Sequence, residues 1–385
     1  MSTSDFQYSK LRWGLTIAGL CLYAADIWTD VCLALKYYQE ERYLWAGLTL
    51  GFILIGLLVT QIFSFHWYWD DMNDIFINPN GKATKAGLSK GGLGTLHLFG
   101  LGTFTRYYQL LKKGFVVLWR TGHSLTEEES RQKHHSLFCM ATDLSMLKLF
   151  ETFLESTPQL LLQVYIVLLG QREASVLQYL SMAFSFFSIA WSLVDYRRCL
   201  RRSLPCISEM PSGLPTLVYL LYKLCTITSL ILSYSLYLIM SPYTTVALST
   251  VWLAMITWTN ILQTNFCSTR GLEMLYRAVV GVILTFTFFN VKGQDTKVSM
   301  SIYYSIFCLI NVASPILLAV LMPEFDENVL LLVGVLIFGG AFLGIFFVIL
   351  YYVLLHPKAN HRDTDEMDGL SEENNVTRIK TFLQP

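Results

Sequence analysis

The stretch that decides the fold runs from residue 224 to residue 269 and reads LCTITSLILSYSLYLIMSPYTTVALSTVWLAMITWTNILQTNFCST. It contains no Asp, Glu, Lys or Arg over 46 residues. A membrane-spanning helix needs about 20 apolar residues, so this stretch is long enough for two crossings. The whole chain has the same character, because 54% of its 385 residues are hydrophobic and only 15% are charged. Soluble domains carry about 25% charged residues. The sequence therefore predicts an integral membrane protein.

Further apolar runs of similar length lie on both sides of this stretch. Two runs differ from the others: 95–119 is amphipathic, and 243–263 ends in the polar run Thr257–Asn260. Both are predicted to be interfacial or re-entrant. The remaining runs predict an all-α polytopic protein of about eight transmembrane helices, arranged as two four-span halves of a single transmembrane domain over residues 1–355. The predicted spans are 11–36, 43–69, 144–169, 174–196, 214–240, 272–290, 300–322 and 328–355.

Basic residues in the connecting segments predict the orientation, because cytosolic loops are enriched in Lys and Arg. Lys10 and Arg12 precede the first span, and four arginines follow the span 174–196. Both termini are therefore predicted to be cytosolic, and residues 356–385 to form a cytosolic regulatory tail. Five apolar runs lie between those arginines and the tail, so one run must fail to cross. The run 243–263 is predicted to be that segment.

Ionisable side chains occur inside the predicted spans, where each costs about 2.5–3.5 kcal/mol on insertion scales. Acidic residues outnumber basic ones there, so full internal pairing is difficult. Two interpretations stay open: the charges fix helices to one another, or they line a polar pathway. Pro158 is predicted to kink the span 144–169. Trp45 is predicted to restrict the pathway near the outer end of the second helix. The other predicted pathway residues are Asp26, Asp30, Lys148, Glu151, Glu155, Asp195 and Arg198.

Several kinds of chemistry lack support in the sequence. The motifs of nucleotide-phosphate loops, serine hydrolases and zinc proteases are absent from it. The eight cysteines show no metal or redox spacing, and the net charge of zero gives no support to nucleic-acid binding. We therefore expect a protein that is not an enzyme and that needs no cofactor or metal.

The tail contains a candidate protease site made of Asp365, Glu366, Met367, Asp368 and Gly369. Two aspartates separated by two variable residues and followed by a small residue match the pattern of executioner caspases. The site also lies in a polar segment, where proteolysis concentrates. Cleavage after the second aspartate would release residues 369–385. That fragment carries a basic and apolar stretch predicted to act as an inhibitory segment: Arg378, Ile379, Lys380, Phe382 and Leu383.

Several stretches resemble the XK-related family of membrane proteins. The segment Asp143–Glu155, followed by Pro158–Leu160, is similar to the family signature, and so are Arg42–Ala46, Leu275–Arg277 and Phe286–Gln294. The resemblance covers nearly the whole chain. It implies a phospholipid scramblase with eight spans and partly inserted segments. It further implies that caspase cleavage switches the protein on, so that phosphatidylserine is exposed at the plasma membrane of apoptotic cells.

The expected partners are phospholipids, phosphatidylserine among them, an executioner caspase, and a single-span membrane chaperone subunit. Two other functions stay open. The same charged stripe would suit an ion channel or a secondary transporter, and the chain could instead be a non-transporting partner subunit. The caspase pattern favours the ATP-independent scramblase, since some family members lack such a site.

Overall fold

A computed structural model of the chain describes residues 8–73, 90–120, 127–170, 175–203, 213–289 and 297–355, apart from 263, 265 and 268. The predicted caspase site and inhibitory stretch lie outside the described residues. Within them the structure is helical and contains no strand. The helices are α1 (Lys10–Gln39), α2 (Tyr43–Asn73), α3 (Lys90–Leu98), α4 (Gly102–Phe115), α5 (Glu127–Leu154), α6 (Ser156–Leu168), α7 (Val176–Ser203), α8 (Leu214–Met240), α9 (Thr244–Ile261), α10 (Arg270–Phe286), α11 (Lys297–Leu321) and α12 (Glu327–Leu350), with π-helical turns at Val116–Arg120 and Tyr351–Leu355.

Six helices of the described residues are long and apolar enough to cross a membrane. They are α1, α2, α7, α8, α11 and α12, and their apolar segments run from 24 to 30 residues. Each corresponds to one of the eight spans predicted from the sequence. The predicted all-α, polytopic membrane fold is therefore confirmed. The other two predicted spans, 144–169 and 272–290, differ from these six: the first is broken and the second forms the 17-residue helix α10.

The predicted span 144–169 is divided into α5 and α6 by a turn at Glu155. Pro158 explains the break, because proline has no N–H to donate to the carbonyl of Leu154 and its ring clashes with that carbonyl. The last turn of α5 is nevertheless closed, since the N–H of Glu155 donates to the carbonyl of Glu151 at 2.8 Å. The kink predicted at the proline is thus a full break, placed three residues earlier.

The segment 95–119, predicted to be interfacial or re-entrant, contains the end of α3, all of α4 and most of the π-helical turn that follows. The chain bends between α3 and α4 at Gly100, whose φ of 74° favours glycine. Gln61 of α2 holds the bend: its amide nitrogen donates to the carbonyl of Gly100 at 3.2 Å, and its oxygen accepts from the N–H of Gly102 at 2.9 Å. The other predicted partial segment, 243–263, is one continuous helix, α9, which packs on α10.

Contacts between helices divide the described chain into two units. The first unit contains α1 to α5 and the part of α7 that follows residue 194. There α2 packs against α1, α3, α4 and α5. The second unit contains α6, the first part of α7 and α8 to α12. There α8 packs against α6, α11 and α12. Each unit is thus built around one long apolar helix.

Glycines allow α12 to approach α8 closely. A Cβ at Gly344 would lie 2.7 Å from Thr226 Cγ2 and 3.3 Å from the backbone nitrogen of that residue. A Cβ at Gly340 would lie 3.3 Å from the carbonyl oxygen of Cys225. Small residues are the usual means of close helix packing in membranes, where lipid provides no hydrophobic drive between helices.

The α8–α12 contact gives a matched test. We expect Gly344→Leu to lower the free energy of unfolding by about 1–3 kcal/mol, the usual cost of overpacking. Gly339→Leu, on the same helix, should change little because nothing lies within 4 Å of its Cβ position. Tryptophan fluorescence during heating in detergent measures both. Equal melting temperatures for the two variants would contradict the close packing.

Candidate functional site

One face of α1 carries two buried carboxyl groups and a tyrosine. Tyr23, Asp26 and Asp30 follow one another at helical spacings of three and four residues, so they lie on the same face. Each is at most 3% exposed. Tyr23 was missing from the residues predicted from the sequence; its place one turn before Asp26 is a weak signal, because aromatic residues are common in membrane helices.

A facing set of charges comes from the end of α5 and the break that follows it. Lys148, Glu151 and Glu155 are 7%, 3% and 2% exposed. The Lys148 ammonium lies 3.2 Å from Glu151 Oε2 and 4.1 Å from the centre of the Tyr23 ring. The lysine therefore connects α5 to α1. We call these residues together the buried charge cluster: Tyr23, Asp26, Asp30, Lys148, Glu151 and Glu155.

The buried charge cluster contains four carboxyl groups and one ammonium group. Glu155 interacts electrostatically with Glu151, Asp26 and Asp30 as well as with Lys148. In an interior of low dielectric constant such interactions are stronger than in water. The sequence predicts more acidic than basic side chains inside the spans, and this excess is concentrated in the buried charge cluster.

Gly56 of α2 leaves space for the side chain of Glu155. A Cβ at that position would lie 3.0 Å from Glu155 Cβ and 3.1 Å from Glu155 Oε2. Both contacts are tighter than ordinary van der Waals distances, so α2 accommodates the Glu155 side chain because position 56 has none. Sequence reasoning missed Gly56, since one glycine in an apolar helix gives no distinctive signal.

Asp195 and Arg198, also predicted pathway residues, lie in the last part of α7 beside Arg12 of α1. The Asp195 carboxylate interacts electrostatically with both arginines. Tyr107 of α4 is placed between this group and the buried charge cluster. It interacts electrostatically with Asp195 and with Glu151, and its ring stacks on that of Tyr23 at 6.2 Å. Tyr107, which the sequence did not indicate, thus interacts with both charged groups.

Trp45 lies in the first turn of α2. Its ring is 4.5 Å from the Arg42 guanidinium and 5.7 Å from the ring of Tyr37. Tyr37 is seven residues beyond Asp30, which corresponds to about 10 Å along a helix axis. Trp45 therefore lies at the end of the α1–α2 pair, apart from the buried charge cluster.

A second buried ion pair joins α4 to α5 and α2. The Arg106 guanidinium lies 3.2 Å from Asp143 Oδ2 and donates to the hydroxyl and the carbonyl of Ser64 at 2.9 and 3.0 Å. The same hydroxyl contacts His97 Nε2 at 3.0 Å. This network joins four helices, α2, α3, α4 and α5, which favours the structural interpretation for Asp143.

The N-terminal end of α1 is attached to α5 through Tyr8 and His134. The backbone N–H of Tyr8 donates to His134 Nδ1 at 3.0 Å, and the rings of Tyr8 and Phe138 are 5.5 Å apart. Burial lowers the pKa of His134 below its usual value. The imidazole is therefore held neutral, as its role of acceptor requires.

The comparisons with known proteins agree with the resemblance found in the sequence. The family model described as XK-related protein matches residues 14–357. The chain therefore belongs to the XK-related family, as the sequence predicted. Among its relatives, XK-related protein 9 of Tetraodon nigroviridis is 54% identical over 381 residues, which is 98% of this chain and 100% of that protein.

More distant relatives match over similar lengths. XK-related protein 8 of Tetraodon nigroviridis is 32% identical over 359 residues, covering 92% of this chain and 85% of that protein. XK-related protein 8 of Pan troglodytes is 31% identical over 361 residues, covering 92% and 87% of the two chains. All the charges of the buried charge cluster fall within the residues that the family model matches.

The Lys148–Glu151 pair gives a prediction on stability. Lys148→Met removes the one cation of the buried charge cluster, so we expect a loss of about 3–5 kcal/mol, the usual cost of leaving a buried charge without its partner. Lys112→Met is the control, because Lys112 is exposed on α4. Thermal unfolding in detergent compares the two. A melting temperature for Lys148→Met equal to that of the control would mean that the pair does not stabilise the fold.

His134 gives a prediction on pH. The pKa of His134 is lowered in the folded chain. The folded chain therefore binds fewer protons than the unfolded chain, whose histidines titrate at about pH 6.5. The His134 contribution to stability is therefore complete above that pH and is lost as the pH falls below it. We expect the melting temperature of the wild type to fall more steeply between pH 7.5 and 5.5 than that of His134→Gln. His135→Gln, at the neighbouring half-buried position, should keep the wild-type slope.

Proposed function

We propose that this chain is an ATP-independent phospholipid scramblase of the plasma membrane, activated by caspase cleavage after Asp368 and not an enzyme itself. The observation that carries the proposal is the buried charge cluster within a helical membrane body. Ionisable groups at membrane depth mark substrate or ion pathways by default, because their insertion is costly. Membership of the XK-related family supports the same function.

The proposed mechanism uses the acidic surplus of the buried charge cluster. Phospholipid headgroups move along the polar side chains while the acyl chains stay in the bilayer. Phosphatidylserine, phosphatidylethanolamine and phosphatidylcholine all carry a cationic nitrogen, which carboxylates attract. Lys148 and, further along the stripe, Arg198 and Arg12 offer charges of the opposite sign to the phosphate. Headgroup movement needs no ATP, because it follows the concentration difference between leaflets.

The burial of the charges favours a closed resting state. Asp30 is 0% exposed and Glu155 is 2% exposed, so headgroups reach these carboxylates only if the helices separate. We propose that the tail beyond Asp368 keeps them together, with both termini in the cytosol. A tail that binds the closed state more tightly by about 2.8 kcal/mol would hold the active population near one per cent. An executioner caspase and a single-span chaperone subunit are the proposed protein partners.

The test is a scrambling assay in liposomes. Purified protein, intact or cut with caspase-3, is reconstituted with fluorescent phospholipids in both leaflets, and dithionite bleaches the outer ones. We expect intact protein to lose about half of the signal and cut protein to lose much more, because scrambling brings the inner lipids to the reagent. Asp368→Ala should remain uncut and inactive. Glu366→Ala, at a variable position of the pattern, should still be cut and activated.

The other functions predict different results. A channel or transporter would give ionic current or saturable solute uptake while cut protein still stops near half of the signal. A non-transporting subunit would give neither, and loss of its partner would lower its surface expression. Joint replacement of Asp26, Asp30, Glu151 and Glu155 by their amides should abolish scrambling at unchanged expression. Full scrambling by that variant would contradict the assignment of the pathway.

A further inference from the structure

Glu155 differs from the other acids of the buried charge cluster in its hydrogen bonding. It is 2% exposed, and its Oε1 atom is buried without a hydrogen-bond partner. Its Oε2 atom faces Gly56 of α2, at 3.1 Å from the Cβ position there. The carboxyl group thus sits at the break between α5 and α6 and faces Gly56, which has no side chain to donate a hydrogen bond.

The charged groups around Glu155 make ionisation unfavourable. From α1, Asp26 and Asp30 interact with it electrostatically, and from α5, Glu151 and Lys148 do so. Lys148 is the favourable partner among them, but its ammonium lies 3.2 Å from Glu151. Tyr23 of α1 is a further titratable neighbour, through its electrostatic interaction with Glu155. Between residues 43 and 69, α2 contains no Asp, Glu, Lys or Arg.

An ionised carboxylate in this position would be buried, partly without hydrogen bonds and surrounded by three further acids. A buried charge of this kind is expensive, and such groups neutralise instead. A metal ion is a poor explanation, because the described residues contain no group of three or more His, Cys, Asp and Glu side chains placed to hold one. A proton on the carboxylate removes the buried charge, which is the larger of the two costs.

We infer that Glu155 is a proton-binding site that couples opening of the polar path to pH. In the closed conformation Glu155 holds a proton. When the helices separate, water and headgroups reach the carboxyl group, and the proton leaves because the ionised form is then solvated or paired with a cationic headgroup. The inference rests on the proposed function and assigns to one pathway residue a regulatory role.

The direction of the pH effect follows from linkage. The closed state binds one proton more than the open state, so a rise in pH favours the open state. We expect the scrambling rate of caspase-cut protein to rise with pH by up to about tenfold per unit, the limit for one linked proton. Glu155→Gln mimics the protonated group and should scramble slowly at every pH. Glu155→Asp keeps a carboxyl group and should keep the pH dependence.

The first experiment does not depend on scrambling. Infrared spectra of intact protein in detergent at pH 7 report the carbonyl band of protonated carboxylic acids. We expect part of this band to disappear in Glu155→Gln and to shift in Glu155→Asp, which remains informative if the amide variant fails to fold. Glu129→Gln is the control, since Glu129 is exposed on α5. A band unchanged by both substitutions of Glu155 would overturn the inference.

The second experiment measures scrambling by cut protein between pH 6 and pH 9. Extraction of fluorescent lipid by albumin replaces dithionite, which decays in acid. A pH-dependent rate in the wild type and in Glu129→Gln, and a flat one in Glu155→Gln, supports the coupling. An equal slope in Glu155→Gln would overturn it. If the infrared band changes as expected but no cut protein scrambles at any pH, the proton site stands and the proposed function fails.

Discussion

The first unit depends on the ion pair between Lys148 and Glu151, which lies among three further carboxyl groups. Lys148 and Glu151 approach to 3.2 Å at positions that are almost fully buried. In such surroundings two charges lose their hydration, so the pair is tolerated only because its geometry is good and its neighbours add further contacts. The Tyr23 ring supplies one of them, through its negative face. Through its contact with Tyr23, the pair ties the end of α5 to α1.

Much of the fold could be predicted because membrane insertion imposes simple rules on sequence. Helices α8, α11 and α12 are long apolar runs, and their bounds lie close to the predicted ones. The break at Glu155 was harder to place. Pro158 gives the signal for a distortion, but whether a helix bends or breaks depends on what surrounds it. Likewise, nothing in the run 95–119 indicated that Gln61 of a distant helix would hold its bend.

The candidate site could be predicted in part, for a related reason. Charged residues are rare in apolar runs, so Asp26, Asp30, Lys148 and Glu151 are evident in the sequence and lie together in the structure. Tyr107 and Gly56 are not evident, because an aromatic residue and a glycine are common in membrane helices. Their roles come from their positions. Tyr107 interacts with the two charged groups on either side of it, and Gly56 leaves space for the carboxyl group of Glu155.

The distance along the chain between the two sides of the buried charge cluster has a consequence for biosynthesis. Asp26 and Lys148 are separated by 122 residues, which at about 5–20 residues per second take roughly 6–24 s to translate. During that interval α1 carries two carboxyl groups that cost about 5–7 kcal/mol to insert, while the one cation of the buried charge cluster has not left the ribosome. The first helix is therefore expected to remain at the translocon, or with an intramembrane chaperone, until α5 arrives. Chains truncated before residue 148 should be recognised and degraded as orphaned membrane segments.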